Sequence, residues 1–249
     1  MAPVVTPVTD RVHFVQTDLV NWTVVVAEES VMLVDAGFPG SREDVLDSLA
    51  QLGFAPADVR AILLTHAHID HFGSAIWFAR EHGTPVYCHA DEVGHAKREY
   101  LEQASPGAVA AHVWQPKWLK WSVSIIAKGA LTRGGIPTAA PLTEQIAARL
   151  PGAPKAIPTP GHTGGHCSYL VDGILIGGDA LITGHPLASR PGPQLLPAMF
   201  NHDHDGCRRS LAALAMLDSQ VLVPGHGPLW REPITAAVAR AQARLTSEL

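Results

Sequence analysis

The chain has 249 residues, 47% apolar and 16% charged, which is enough for a sizeable core and excludes a compositionally disordered chain. Its net charge of −5, without any cluster of Lys and Arg, argues against a nucleic-acid footprint, and no apolar run approaches the ~20 residues that span a bilayer. There are 14 His but only 3 Cys, and the widely spaced Cys88, Cys167 and Cys207 make no disulfide framework.

In chain order, residues 11–16, 21–27 and 31–35 are β-rich and predict antiparallel strands. Residues 1–10 carry no secretory signal, so a reducing, cytoplasmic setting is expected. Ser41 reads as an N-cap with Asp44 at the capping-box position, followed by Val45, Leu46, Leu49 and Leu52 at helical spacing and a stop at Gly53. Residues 60–65 predict a buried strand running into His66, 73–82 a helix, 85–88 a strand and 89–104 a helix. The stretch 105–150 reads as a helical insertion within one domain, with Trp114, Trp118 and Trp121 at helical spacing. Those Trp fit a lid, a homodimer surface or core packing, and the sequence leaves the three open. Residues 155–158, 167–171 and 174–176 predict strands, the last two joined by a hairpin turn at Asp172-Gly173. A Pro-rich loop spans 184–197, a helix 206–217 capped by Asp205 follows, then a strand at 220–223 and an Ala-rich helix from about Glu232.

Four polar sites sit just after short apolar strands: 66–71, 162, 179 and 226. In extended backbone His66, His68 and Asp70 face one side, with His71 reached by a turn. Imidazole and carboxylate in this density are ligands for Zn²⁺, and also for Fe or Mn, whereas a solvated loop would carry Ser, Asn, Gly or Lys. His162, Asp179 and His226 are each ambiguous alone. All three lie beside glycines at strand ends, and together with the 66–71 hexapeptide they form a set.

In this set, from Thr65-His-Ala-His-Ile-Asp-His71 through Gly161-His162-Thr163 and Gly178-Asp179 to Gly225-His226-Gly227, the chain resembles the metallo-β-lactamase-fold superfamily over about residues 10–230. The resemblance implies an α+β fold, an αββα four-layer sandwich of two mixed β-sheets with helices on the outer faces. It also implies two metal sites, zinc or else iron or manganese. His66, His68 and His162 would hold the first, Asp70, His71 and His226 the second, and Asp179 would bridge them. The implied activity is a dinuclear hydrolase whose bridging hydroxide attacks the carbonyl of a small ester, thioester, lactone or amide, with Asp70 passing a proton to the leaving group.

Around that set, His166 is a candidate to orient a ligand. His185, His202 and His204 are candidates for the mouth of the pocket, and Phe38 and Phe72 for its lining. The glyoxalase II-like and lactonase-like branches are the nearest in pattern. The extra domain and basic residues that hold glutathione are not recognisable, and Tyr87, Tyr100 and Tyr169 do not suit the tyrosine that lactonases place near the metals. The alternative is an iron-dependent redox relative of the persulfide dioxygenase type. The flavodiiron pattern, by contrast, has Glu where this chain has His68. The expected partner is a small molecule, with no nucleic acid and no membrane.

Overall fold

The near-continuous apolar runs at 24–26 and 31–34 place both faces of their strands against other layers. The computed structural model describes residues 2–247. Strands β1 (Val4–Pro7), β2 (Val12–Gln16), β3 (Trp22–Ala27) and β4 (Ser30–Val34) form an antiparallel meander. Three strands extend it in parallel: β5 (Val59–Leu63), β6 (Val86–Cys88) and β7 (Ala140–Pro141). A second sheet has the order β11-β10-β9-β8, with β8 at Lys155–Pro158, β9 at Cys167–Val171, β10 at Ile174–Gly178 and β11 at Leu222–Pro224. β9 and β10 meet at Asp172-Gly173 with φ of 50° and 77°, the left-handed pair that the predicted tight hairpin requires.

The two sheets face each other through Val12, Phe14, Val25, Met32 and Leu63 on one side and Tyr169, Val171, Ile176 and Val223 on the other. Outside the first sheet, Val45 and Leu49 of the helix Arg42–Gln51 pack on Val24, Leu33 and Ile62. Outside the second, the helices His204–Leu214 and Ile234–Ser247 bury Leu211, Leu214, Ala237 and Val238 against Leu175 and Leu222. This is the expected four-layer αββα arrangement. Among the described residues no helix is long and apolar enough to cross a membrane.

Several local expectations change. β1 was not anticipated. Ser41 stands at the N-cap of Arg42–Gln51 but its side chain makes no cap bond, and Asp44 turns to Lys128 Nζ at 2.7 Å instead. The cap of His204–Leu214 is Asp203, which accepts from Gly206 N, not Asp205. Residues 89–104 are helical only over Ala90–Lys97. The 105–150 stretch holds the helices Pro106–Ala110 and Pro116–Ala127, and also gives β7 to the first sheet. The helix expected from Gly73 begins earlier, with a turn at Ile69–Phe72. Asp70 therefore lies on that turn rather than continuing the extended run of His66 and His68. Its carboxylate still returns to the cluster, because His68, the last extended residue, caps the turn with φ −72° and ψ 147°.

Candidate metal centre

Every residue of the set follows the C-terminal end of a strand. Residues 66–71 follow β5, His162 follows β8, Asp179 follows β10 and His226 follows β11. The strand ends of both sheets open at one edge, the place where layered α/β folds present ligand sites. Gly225 lets β11 approach closely, since a Cβ there would lie 2.2 Å from Asp179 Oδ1. Three donor groups result, each with its ligand atoms within 4.8 Å: His66, His68 and His162; His66, His71 and Asp179; Asp70, His71 and His226. Asp179 Oδ2 joins them, lying 3.5 Å from His71 Nε2, 3.4 Å from His162 Nε2 and 3.3 Å from His226 Nε2.

The hydrogen bonds of the five imidazoles test whether a cation fits. Each ring holds one nitrogen against a fixed partner outside the cluster. His68 Nε2 donates to Glu102 O at 2.6 Å and His226 Nδ1 to Leu19 O at 2.7 Å. His71 Nδ1 donates to Asp35 Oδ2 at 2.9 Å and His162 Nδ1 to Asn201 Oδ1 at 2.9 Å. Thr65 Oγ1 donates to Asp35 Oδ2, so it accepts from His66 Nδ1 at 3.0 Å. In the neutral rings the five remaining nitrogens are lone pairs aimed at one another and at two carboxylates. His68 Nδ1 faces His162 Nε2 at 2.9 Å, and His71 Nε2 faces His226 Nε2 at 3.3 Å. Facing lone pairs need a proton or a metal ion between them. His66 Nε2 and Asp179 Oδ1 are buried with no partner in the protein, as donors waiting for a cation are.

The electrostatics agree. Burial, then the neighbouring His71, His68 and His162, hold His66 well below its ordinary pKa. Burial and His68 push His162 down to about 3. In the other half, burial opposes charge on His71 and His226, but Asp179 and Asp70 outweigh it, raising His71 well above its usual value and His226 to about 9. Thus the site rejects protons on one side and gathers positive charge on the other.

Three supporting residues escaped the sequence reading. Asp35, just past β4 with φ 61°, accepts from Thr65 N at 2.8 Å as well as from Thr65 Oγ1 and His71 Nδ1. Asn201 holds His162. Glu92, fully buried, accepts from Ala67 N and His95 Nδ1 on one oxygen and from Thr163 Oγ1 and Gly165 N on the other, tying the 66–71 loop to the 162 loop. Asp35→Asn is a mild change, because Asn tolerates positive φ and can still accept from His71. The lost charge is expected to weaken metal binding roughly 10–100-fold, read by competition with a chelator. Unchanged affinity would remove Asp35 from this role.

The remaining candidates separate. His166 lies beneath Asp179: its Nε2 accepts from Asp179 N at 3.1 Å and its Nδ1 bonds Thr159 Oγ1 at 2.8 Å. A cavity of about 290 Å³ opens onto His68, Asp70, Asp179 and His226, and Phe38 and His185 line it. Phe72 does not: on the turn Ile69–Phe72 it points away from the cluster and is fully buried in the outer core beneath Arg98, whose guanidinium lies 4.3 Å from the ring. His202 does not line the cavity either. Its side chain is half exposed, with Nε2 3.9 Å from Glu102 Oε1. His204 opens its helix and bonds Asn201. Of the three Trp, Trp121 lines the cavity, Trp118 stacks on His112 and Phe200, and Trp114 is exposed.

Comparison with known proteins extends this reading. The family model of the metallo-beta-lactamase superfamily matches residues 15–226. The chain is 29% identical over 231 residues to YflN of Bacillus subtilis, a protein named as a probable metallo-hydrolase, with 88% of this chain and 83% of that protein covered. It is 28% identical over 200 residues to metallo-beta-lactamase domain-containing protein 1 of Xenopus laevis, with 80% and 67% covered. Among solved structures, MEM-A1, a subclass B3 metallo-beta-lactamase from a soil metagenome library, superimposes with a TM-score of 0.68 at 19% identity, covering 99% of this chain and 95% of that one. The chain belongs to the metallo-beta-lactamase superfamily of hydrolytic enzymes.

Proposed function

We propose that this protein hydrolyses a small ester, thioester, lactone or amide at a two-metal centre. His66, His68 and His162 would hold one ion, Asp70, His71 and His226 the other, and Asp179 would lie between them. Zinc suits the nitrogen-rich donors, and iron or manganese also fits them. The observation that carries this reading is the convergence of ring nitrogens of His71, His162 and His226 on Asp179 Oδ2, with His66 Nε2 at 4.0 Å from it and His68 Nδ1 against His162 Nε2. When bound, the ions supply a water-derived nucleophile at neutral pH and polarise the substrate carbonyl.

The chain's own residues do the rest. Asp70, held as a carboxylate beside His71 and His226, borders the cavity; with Oδ2 turned to those two rings, Oδ1 is the oxygen left to carry a proton to the departing group. His185 Nδ1 accepts from Leu187 N at 3.1 Å, so in the neutral ring Nε2 bears the hydrogen and is a donor at the cavity wall. Burial pushes the His185 pKa down to about 3, which keeps the ring neutral. His185→Gln is expected to slow esters of poor leaving groups roughly tenfold and p-nitrophenyl esters far less, in a series of esters graded by leaving-group pKa. An equal loss across that series would show that His185 only supports packing.

The reading as a whole is tested by elemental analysis of protein purified without added metal, followed by lactone, thioester, ester and β-lactam substrates with and without chelator. Two zinc ions per chain with chelator-sensitive hydrolysis is the expected result. One iron with oxygen uptake on a persulfide would replace it with the redox alternative.

A further inference from the structure

The cavity over the cluster is built from unusual material. Its walls are Phe38, Val113, Trp121, Ile125, Leu196 and Phe200, and three of these come from the 105–150 stretch. Among the described residues no Lys or Arg lines it, and the ionisable side chains that do are Asp70, Asp179 and the imidazoles of His68, His185 and His226. Basic residues are close by but elsewhere: Lys117, Lys120 and Lys128 line a separate groove of about 860 Å³ that shares Trp121 and contains no member of the metal set. The helix Pro116–Ala127 thus turns apolar side chains to the metal cavity and its lysines to that second groove.

We infer that the substrate presents an uncharged, apolar acyl or alkyl group to the cavity, and that the 105–150 stretch selects it by chain length and against negative charge. This rests on the hydrolase reading for the reacting carbonyl, but not for the binding of the apolar group. Apolar walls favour each methylene removed from water, and an anionic tail would lose its hydration with no cation to receive it.

The test uses the metal-loaded, full-length protein and straight-chain acyl esters of one alcohol, from acetyl to decanoyl, alongside chains ending in a carboxylate. kcat/KM is expected to rise roughly threefold per methylene through the middle of the series. Each carboxylate-ended chain should fall at least thirtyfold below its methyl-ended counterpart of equal length. Ile126→Lys, at a half-exposed position on the rim, should raise turnover of the carboxylate-ended chains about tenfold relative to the methyl-ended chains of equal length. Binding is read separately, by the fluorescence change that octanamide, but not the same amide with its far end a carboxylate, produces in the unmodified protein and fails to produce in Trp121→Phe. Octanamide binding without hydrolysis of any ester would support this inference while defeating the hydrolase reading. Hydrolysis with no dependence on chain length, or equal turnover of the carboxylate-ended series, would overturn it.

Discussion

Asp179→Ala is expected to leave at most one metal ion per chain and to lower kcat/KM roughly 10³-fold. Asp179 Oδ2 reaches members of all three donor groups, lying 3.3 to 3.5 Å from ring nitrogens of His71, His162 and His226. Alanine removes that oxygen and also the negative charge that would offset the bound cations. Asp179→Asn retains one oxygen and most of the volume, so it should fall between the two, with metal content closer to the wild type than its activity. Elemental analysis and steady-state kinetics on the same preparations check both, with circular dichroism to verify the fold. An alanine variant that keeps both ions and full turnover would remove Asp179 from the site.

Glu92→Ala should have the largest effect on stability. Its carboxylate is fully buried and receives four hydrogen bonds, at 2.7 Å from Ala67 N, 2.8 Å from His95 Nδ1, 2.7 Å from Thr163 Oγ1 and 3.1 Å from Gly165 N. Removing it strands those donors and separates two metal-bearing loops. A loss of about 3–5 kcal/mol is expected, lowering Tm by roughly 10 °C. Burial alone would raise the Glu92 pKa, but the bond and charge of His95 with those of Thr163 and Ala67 outweigh it and hold it at about 2 against an ordinary 4.5. The stabilisation is therefore complete above pH 4.5 and fades as pH falls toward 2. Acid denaturation should be shallower in Glu92→Gln than in the wild type over that window. Identical acid profiles would mean that the ionised carboxylate does not stabilise the fold.

The ligand set was legible because it is written locally. Each member follows a short apolar strand, and His66 to His71 crowd four donor residues into six positions. The meander of β2 to β4 was legible for the same reason, through alternation and turns. Asp35, Glu92 and Asn201 were not, because their work is with residues far away in sequence. Asp35 reaches Thr65 and His71, Glu92 reaches Thr163 and Gly165, and Asn201 reaches His162. A single acidic residue at a strand end or in a helical stretch looks like an ordinary solvated group until the sheets are stacked. Phe72 misled for the opposite reason. Nearness in sequence to Asp70 suggested the pocket, but the turn Ile69–Phe72 sends its ring into the core. The Trp segment is not the single helix its spacing suggested: Trp114 precedes the helix Pro116–Ala127 and is exposed, while Trp121 on that helix borders the cavity.

The donors are divided between the layers: His66, His68, Asp70 and His71 hang from the first sheet, and His162, Asp179 and His226 from the second. A bound ion is therefore a strap across the open edge of the sandwich, pinning chain segments that are distant in sequence. Holding the folded chain and not the unfolded one, it makes resistance to unfolding a function of free metal: in the saturating range, each tenfold rise adds about 1.4 kcal/mol per ion. Cells short of metal would then carry this protein in a form more easily opened and degraded, so its abundance, and not only its turnover, would follow metal supply.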